Sequence, residues 1–340
     1  MATLKLLVWN VEWMNDLFDS QGAFKPDDEK PFHTPDSTVK QRRTDLAGVI
    51  DELSPDVVVM VEGPNRTTEL QLFFDSDVTG QWQTQVQPTA GSSQLVGCAV
   101  RLDTNKFNNP NPFSVIDTTT LSVFAPFELD NEEDGVIEKY YFERLPLYVE
   151  LNPVNGNPFR ILGLHLKSKG IFDALEWSKW WERSLANRRK IFAQCTQIRL
   201  KFLDEYLKDN ATKNIPLIVC GDINDGPGYD ADEKKILGSG IERLMGLVWF
   251  PELCMGNTLF DTLSDAKKMK LDFDVETTSF KDPIFNNVYH REWIDHILYT
   301  RNKPNWVKDG KSNIDMQAGK IWTVYKHASD HHPITATLEV

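Results

Sequence analysis

Polar residues that could do chemistry recur at the ends of apolar, strand-like runs of this sequence. The run LIVCG ends in Asp222 and Asn224, which are two residues apart and therefore point to the same side of an extended chain. The other residues in such positions are Asn10, Glu62, His165, Asp295, Asp330 and His331. Because strand ends can present polar groups along one rim of a sheet, we expect these residues to share a pocket.

The residue types in this set suit a metal-assisted hydrolytic site. Carboxylate and amide oxygens, such as those of Asn10, Glu62 and Asp330, are hard ligands that favour Mg²⁺ or Mn²⁺ over Zn²⁺. A histidine such as His331 needs a partner that fixes its tautomer, and a strand aspartate such as Asp295 could be that partner. Each residue alone also has an ordinary interpretation as a turn, surface or core residue. Their joint occurrence at several strand ends favours a shared site.

Length, composition and charge limit the class of protein. A chain of 340 residues, 41% hydrophobic and 26% charged, is typical of a soluble globular protein. It contains no apolar run of membrane-spanning length, and its first residues predict mature sequence, not a signal peptide. Four widely separated cysteines predict buried, reduced thiols and a cytoplasmic location. The net charge of −13 argues against a broad basic surface for nucleic acid but leaves open a substrate held in one cleft.

Short strands and a few helices must position the candidate residues. Apolar periodicity predicts strands over 4–11, 57–62, 158–168, 215–224 and 333–340, and helices over 39–53 and 186–208. The stretches 15–38, 128–139 and 226–256 are polar, acidic or rich in Gly and Pro, and we interpret them as insertions. The sequence therefore predicts a single domain over 1–340 with decorated loops.

Seven segments, in this order, resemble the motifs of the endonuclease/exonuclease/phosphatase superfamily: WNVEW, PDVVVMVE, FERLPLYVEL, GLHLKSKG, CGDINDGPG, WIDHILYT and SDHHPITATL. This group includes pancreatic-type deoxyribonuclease, apurinic endonucleases, neutral sphingomyelinases and inositol polyphosphate 5-phosphatases. The HLKSKG segment is most similar to the bacterial nuclease-like branch. The resemblance covers nearly the whole chain and implies an α+β fold, a four-layer α/β/β/α sandwich of two mostly antiparallel sheets flanked by helices.

The resemblance also implies a role for each motif residue. It implies metal binding by Asn10, Glu62 and Asp330, phosphate contact by Arg144 and His165, a water- and phosphate-binding pair in Asp222 and Asn224, and an Asp295–His331 dyad. His165 could alternatively protonate the leaving group, and Lys167 could face phosphate or solvent. The implied nucleophile is water, activated by the dyad or by Asp222, and the implied cofactor is Mg²⁺ or Mn²⁺.

The resulting hypothesis is a divalent-metal-dependent phosphodiesterase, in particular a nuclease, acting on nucleic acid or another phosphodiester. No protein partner is predicted. The alternatives are a phosphatase, a sphingomyelinase-like phospholipid diesterase or, from another class, a catalytically silent binding module. The segment 177–190, rich in tryptophan and arginine, predicts either a stacking platform for bases or lipid or a flap packed over the sandwich.

Overall fold

The computed structural model of the chain describes residues 2–131, 133–171, 176–228, 233–236, 238–270, 273–282 and 288–340. The strands in chain order are β1 (Thr3–Asn10), β2 (Val57–Gly63), β3 (Trp82–Val86), β4 (Leu95–Arg101), β5 (Phe113–Val115), β6 (Phe127–Leu129), β7 (Glu138–Tyr140), β8 (Leu147–Leu151), β9 (Phe159–His165), β10 (Leu217–Asp222), β11 (Met255–Asn257), β12 (Thr278–Asp282), β13 (Val288–Glu292), β14 (Asp295–Thr300), β15 (Val307–Ser312), β16 (Asp315–Met316), β17 (Gly319–Lys320) and β18 (Ile334–Glu339). The helices are α1 (Val39–Leu53), α2 (Thr67–Asp77), α3 (Trp180–Ile198), α4 (Asp204–Lys208), α5 (Glu233–Ile236), α6 (Gly240–Met245), α7 (Thr258–Asp261), α8 (Asp265–Lys270) and α9 (Ile321–Val324).

Two six-stranded sheets form the centre of the described structure. Their strand orders are β15-β18-β1-β2-β4-β3 and β11-β14-β10-β9-β8-β5. In each sheet the central pair is parallel, β1 with β2 and β9 with β10, and the flanking pairs are antiparallel. The prediction of two mostly antiparallel sheets is confirmed.

The main core lies between the two sheets. Leu6 of β1 and Val59 of β2 meet Ile161 of β9 and Ile218 of β10 in one buried cluster. Side chains alternate between the two faces of a strand, so every second residue of these strands enters this layer. Burying an aliphatic side chain of this kind contributes about 1.5–3 kcal/mol to the free energy of unfolding. The sandwich is therefore a rigid support for whatever lies at its edge.

The outer face of each sheet is covered by helices. Leu7 and Trp9 of β1 pack in a second cluster with residues of α1 and α2. On the other side, Ile191, Cys195 and Ile198 of α3 form a stripe at helical spacing that packs on β9 and β10 in a third cluster. The order helix, sheet, sheet, helix is the predicted four-layer α+β sandwich.

Helix α1 has the bounds that the sequence predicts, whereas the helix after β9 is longer than predicted. Thr38 and Gln41 form a reciprocal capping box at the start of α1. The second helix begins at Trp180, six residues before the predicted start, and runs through a π-helical segment (Arg199–Leu203) into α4. Lys179 at its start makes no capping hydrogen bond through its side chain, so the local sequence carries no start motif there.

The three insertions contribute secondary structure and packing. Residues 15–38 place Leu17 and Phe18 in the cluster beneath α1 and α2, residues 128–139 include most of the β6–β7 hairpin, and residues 226–256 carry α5 and α6. Cys98, Cys195 and Cys220 are buried free thiols, as predicted, but Cys254 is half-buried because it lies in the loop that follows α6. No helix among the described residues combines the length and the apolar character that a membrane crossing requires.

Candidate active site

The predicted site residues converge at one edge of the sandwich. Asn10 ends β1 and Glu62 lies at the end of β2, while His165 and Asp222 end the parallel pair β9 and β10. Asp295 begins β14 and lies opposite Asp222 in the sheet. The two sheets meet here, because the Asn10 Nδ2 donates to Asp222 Oδ2 at 3.0 Å across the sandwich.

Neutral donors surround the Glu62 carboxylate. The Asn10 Nδ2 donates to Glu62 Oε1 at 3.2 Å, the Trp13 backbone N–H donates to Oε2 at 3.0 Å, and the Gln94 amide also donates to Oε2. The Glu62 side chain keeps 15% of its surface exposed, and the His165 Nε2 lies 3.8 Å from Oε1. These contacts fix the carboxylate in place without supplying a fixed positive charge.

His331 and Asp295 form the predicted dyad. The His331 Nδ1 lies 2.8 Å from Asp295 Oδ2, and both side chains are buried. The backbone N–H of Asp295 donates to Thr277 Oγ1 at 3.1 Å, which fixes the start of β14. Burial alone would lower the pKa of His331, but Asp295, Asp330 and Asp222 together raise that pKa well above its ordinary value. The neighbouring carboxylates therefore favour the protonated form of His331, with its Nδ1 directed at Asp295.

Asp222 lies between the two halves of the site. Its Oδ1 accepts the Asn224 backbone N–H at 2.8 Å, and one potential ligand atom each of Asp222, Asp295 and His331 lies within 4.8 Å of the others. Burial, and then the charge of Asp295, raise the pKa of Asp222 to about 8. Asn224 adopts a left-handed backbone conformation with φ of 57°, and its amide donates to the Leu166 carbonyl at 3.3 Å. This turn holds Asn224 beside Asp222 and against the end of β9.

His165 and Arg144 are linked to Glu62 through Gln94. The Arg144 guanidinium donates to Gln94 Oε1 at 2.5 Å and to the Ser93 carbonyl at 3.3 Å, and the His165 Nδ1 lies 3.4 Å from the Gln94 carbonyl oxygen. Burial, and then the charge of Arg144, lower the pKa of His165 well below its ordinary value. His165 is therefore a neutral imidazole that can donate or accept one hydrogen bond.

Asp330 and Lys167 lie at the periphery of the site. The Asp330 side chain is 45% exposed, and its Oδ1 is 3.9 Å from His331 Nε2. The backbone N–H of Lys167 donates to Gln194 Oε1 at 3.1 Å, and the charge of Lys167 makes a minor contribution to the low pKa of His165. Asp330 thus lies beside His331, and Lys167 follows β9 near His165.

Gln94 is a site residue that the sequence analysis missed. It bridges Glu62 and Arg144, and its backbone has a positive φ of 58° directly before β4. The missed residue precedes its strand, whereas the prediction looked for polar residues that follow one. The left-handed backbone at a non-glycine residue is a structural mark of a constrained position, and it cannot be seen in the sequence.

Arg42 of α1 is a second missed residue. Its buried guanidinium pairs with Glu12 Oε2 at 3.1 Å and donates to the Val11 carbonyl at 2.8 Å and to the Glu12 carbonyl. Glu12 and Trp13 are consecutive left-handed residues, with φ of 48° and 52°. Arg42 therefore holds the strained turn that directs the Trp13 N–H at Glu62. Helical periodicity predicts α1 but not which of its polar residues points inward.

Solved structures match the chain over its whole length, although no protein-family model and no curated protein matches it. An endonuclease/exonuclease/phosphatase from Bacteroides vulgatus is 15% identical, with a TM-score of 0.50 and 100% of each chain covered. An AP endonuclease from Archaeoglobus fulgidus is 14% identical, with a TM-score of 0.50, 99% of this chain and 100% of that chain covered. An endonuclease/exonuclease/phosphatase family protein from Leptotrichia buccalis is 12% identical, with a TM-score of 0.50 and the same coverage.

At these identities the comparison concerns the fold alone. The motif order in the sequence, the paired six-stranded sheets and the full-length structural matches all lead to one assignment. This chain has the fold of the endonuclease/exonuclease/phosphatase superfamily.

Proposed function

We propose that this protein is a divalent-metal-dependent phosphodiesterase that hydrolyses nucleic acid, with water as the nucleophile. One observation carries the proposal: the hydrogen-bonded Glu62 carboxylate, a buried Asp–His dyad and the Arg144–Gln94–His165 group lie together where the two sheets meet. Water attack on a phosphodiester needs those three functions, namely charge neutralisation, proton transfer and phosphate positioning. A binding module without catalysis has no need for the buried dyad.

The residues around Glu62 fit Mg²⁺ or Mn²⁺. Glu62, Asn10 and Asp330 supply the oxygen donors that these ions prefer, and Asp222 and Asn224 could hold a second ion. Among the described residues, the buried Asp295 Oδ1 accepts no hydrogen bond, and Glu62 has only neutral donors on its two oxygens. The bound cation would neutralise charge on the phosphate oxygens and the leaving group.

His331 is positioned to move a proton. Because its Nδ1 is held by Asp295, its Nε2 is the atom left to exchange a proton with water or a substrate oxygen. Asp295 orients the ring and stabilises its protonated form. Asp222, whose pKa of about 8 lies near neutrality, is the alternative acceptor for the proton of the attacking water.

Three further groups would hold the phosphate. The Arg144 guanidinium and the neutral His165 imidazole lie on the Gln94 side of the cleft, and the Asn224 amide lies on the Asp222 side. A guanidinium supplies charge and paired N–H donors, whereas an amide and an imidazole orient oxygen without adding charge. Lys167 adds positive charge at the periphery.

A hydrolysis panel tests the metal requirement. We expect activity on bis-p-nitrophenyl phosphate that is lost with EDTA and restored by Mg²⁺ or Mn²⁺. Zn²⁺ serves as the control ion, because the donor set is built from hard oxygens. Full activity in metal-stripped protein would contradict the metal site, and no hydrolysis of any phosphoester with either ion would contradict an enzymatic function.

The same panel tests the substrate class. The similarity of HLKSKG to the nuclease-like branch supports a diester over a monoester, so we expect single-stranded DNA or RNA and the model diester to be cleaved faster than simple phosphate monoesters. The affinity for a polymer should fall with added salt if several cations contact its backbone. Hydrolysis of sphingomyelin or of inositol phosphates alone would contradict the nuclease assignment but not the proposed metal site.

A further inference from the structure

Three aromatic rings extend outward from the Glu62 side of the site. The Trp13 backbone N–H contacts Glu62, and the Trp13 ring is stacked on His33 with centroids 3.5 Å apart and planes 9° apart. The Phe32 ring meets His33 edge to face with centroids 4.8 Å apart. Phe32 is 81% exposed, so its ring is accessible to another molecule. We call these three residues the aromatic shelf.

Two members of the aromatic shelf, Trp13 and His33, are held in place by the protein, and Phe32 packs edge to face on His33. Asp16 Oδ2 accepts the His33 backbone N–H at 2.9 Å and lies 2.8 Å from His33 Nδ1. The Asp16 carboxylate therefore holds both the backbone and the ring of His33. Arg42 holds the turn that carries Trp13, as described above. A ring held in this way loses little conformational entropy when a flat ligand stacks on it, which favours binding.

The geometry and charge of the aromatic shelf favour a flat, uncharged ligand. The rings of Trp13 and His33 stack directly on each other and leave no space between them. They therefore do not form the open aromatic cage that recognises a quaternary ammonium group. The surrounding segment 15–38 has six acidic residues and two lysines, which disfavours an anionic lipid surface. A nucleobase satisfies both conditions, because it presents a neutral aromatic face and stacks on aromatic side chains.

We infer that the aromatic shelf binds the base of the nucleotide whose phosphate lies at Glu62, with Phe32 as the contacting ring. This inference rests on the proposed phosphodiesterase function and makes the substrate a nucleotide diester. It also places base recognition on the segment that follows β1.

Three diesters with one leaving group test the inference: thymidine 5′-(p-nitrophenyl) phosphate, methyl p-nitrophenyl phosphate and p-nitrophenyl phosphorylcholine. The measured quantity is the ratio of kcat/KM for the thymidine ester to kcat/KM for the methyl ester. We expect Phe32→Ala to lower this ratio about fivefold or more, since base stacking on an aromatic side chain is worth at least this much. Phe32→Tyr should retain the ratio, and Trp249→Ala, which removes an 84% exposed aromatic after α6, is the matched control.

Two results would overturn the inference. One is an unchanged ratio in Phe32→Ala, and the other is a loss confined to the phosphorylcholine ester, which would assign the shelf to a choline group. Calorimetric titration with thymidine 5′-monophosphate in the presence of Mg²⁺ separates this inference from the proposed function. Weaker binding to Phe32→Ala than to the wild type supports the shelf even if no ester is hydrolysed, and equal or absent binding rejects it even if hydrolysis occurs.

Discussion

The two halves of the candidate site stabilise their carboxylates in opposite ways. In the Glu62 half, which comprises Asn10, Glu62 and Gln94, two amides and a backbone N–H donate to the carboxylate. In the His331 half, which comprises Asp222, Asp295 and His331, the Asp295 carboxylate contacts an imidazole inside the protein. Buried charge requires hydrogen bonds or an opposite charge. Glu62 uses the first solution and Asp295 the second, while Asp222 resembles Glu62 in accepting neutral donors, from Asn10 and Asn224.

In the proposed function this difference gives the two halves separate tasks. The Glu62 half would bind the cation, whereas the His331 half would transfer the proton. Substitutions in the Glu62 half should therefore change metal affinity, and substitutions in the His331 half should change the rate and its pH dependence. The predictions below test this separation.

The largest effect is expected from His331→Ala. Removing a general acid–base group should lower kcat on bis-p-nitrophenyl phosphate by about a hundredfold to ten-thousandfold. The affinity for Mn²⁺ should change little, and Asp295→Asn should cost a similar or smaller factor because it acts through His331. Circular dichroism must show that both variants are folded. Near-normal turnover in a folded His331→Ala protein would show that His331 is not the general acid–base group.

Glu62→Gln should weaken Mn²⁺ binding by about a hundredfold, since it removes the carboxylate proposed to bind the cation. Substitution of residues that merely contact a metal ligand already lowers metal affinity about 10–100-fold. Calorimetric titration with Mn²⁺ measures this affinity directly, without reference to activity. Glu150→Gln, which removes a carboxylate paired with Arg160 at 2.8 Å, is the matched control. Equal Mn²⁺ affinity in both variants would show that the ion binds elsewhere, for instance at the Asp222–Asp295–His331 cluster.

Gln94→Ala tests whether the bridging amide positions its neighbours. The substitution removes one hydrogen-bond donor to the Glu62 carboxylate and the side-chain acceptor of Arg144. We therefore expect about tenfold weaker Mn²⁺ binding and a higher KM for the diester. Gln85→Ala on β3 removes an amide of the same size as a control. A change in kcat alone, with metal affinity and KM retained, would assign Gln94 to the chemical step instead.

Asp222→Asn should produce the smallest effect, a change in how stability depends on pH. The pKa of Asp222 is raised to about 8 in the folded state, so its protonated form is favoured by folding. This stabilisation is complete below the ordinary carboxyl pKa and is lost as the pH rises through about 8. Between pH 5 and pH 8 in EDTA, the free energy of unfolding of the variant should therefore improve relative to wild type by at least about 1 kcal/mol. Parallel melting temperatures for the two proteins across this range would contradict the raised pKa.

Local sequence patterns were sufficient where the determinant is local. Apolar spacing predicts α1 to the residue, and the capping box of Thr38 and Gln41 in the structure shows a local reason for its start. The start of α3 at Trp180 was missed, because its first turn lacks a capping side chain. In the same way, polar residues that follow an apolar strand were identified, but Gln94 and Arg42 were not. Gln94 precedes a strand, and Arg42 differs from neighbouring polar residues of α1 solely in what it contacts.

The sequence by itself determined which residue types stand at the strand ends and in what order, because apolar periodicity and turn chemistry are properties of short segments. It thereby determined the fold and the candidate residues of the site. Tertiary structure decided their partners: Asn10 reaches Asp222 across 212 residues of chain, Gln94 joins Glu62 to Arg144, and Trp13 stacks on His33. These contacts depend on distances between segments that are far apart in the chain, and only the packing of the two sheets and their loops sets such distances.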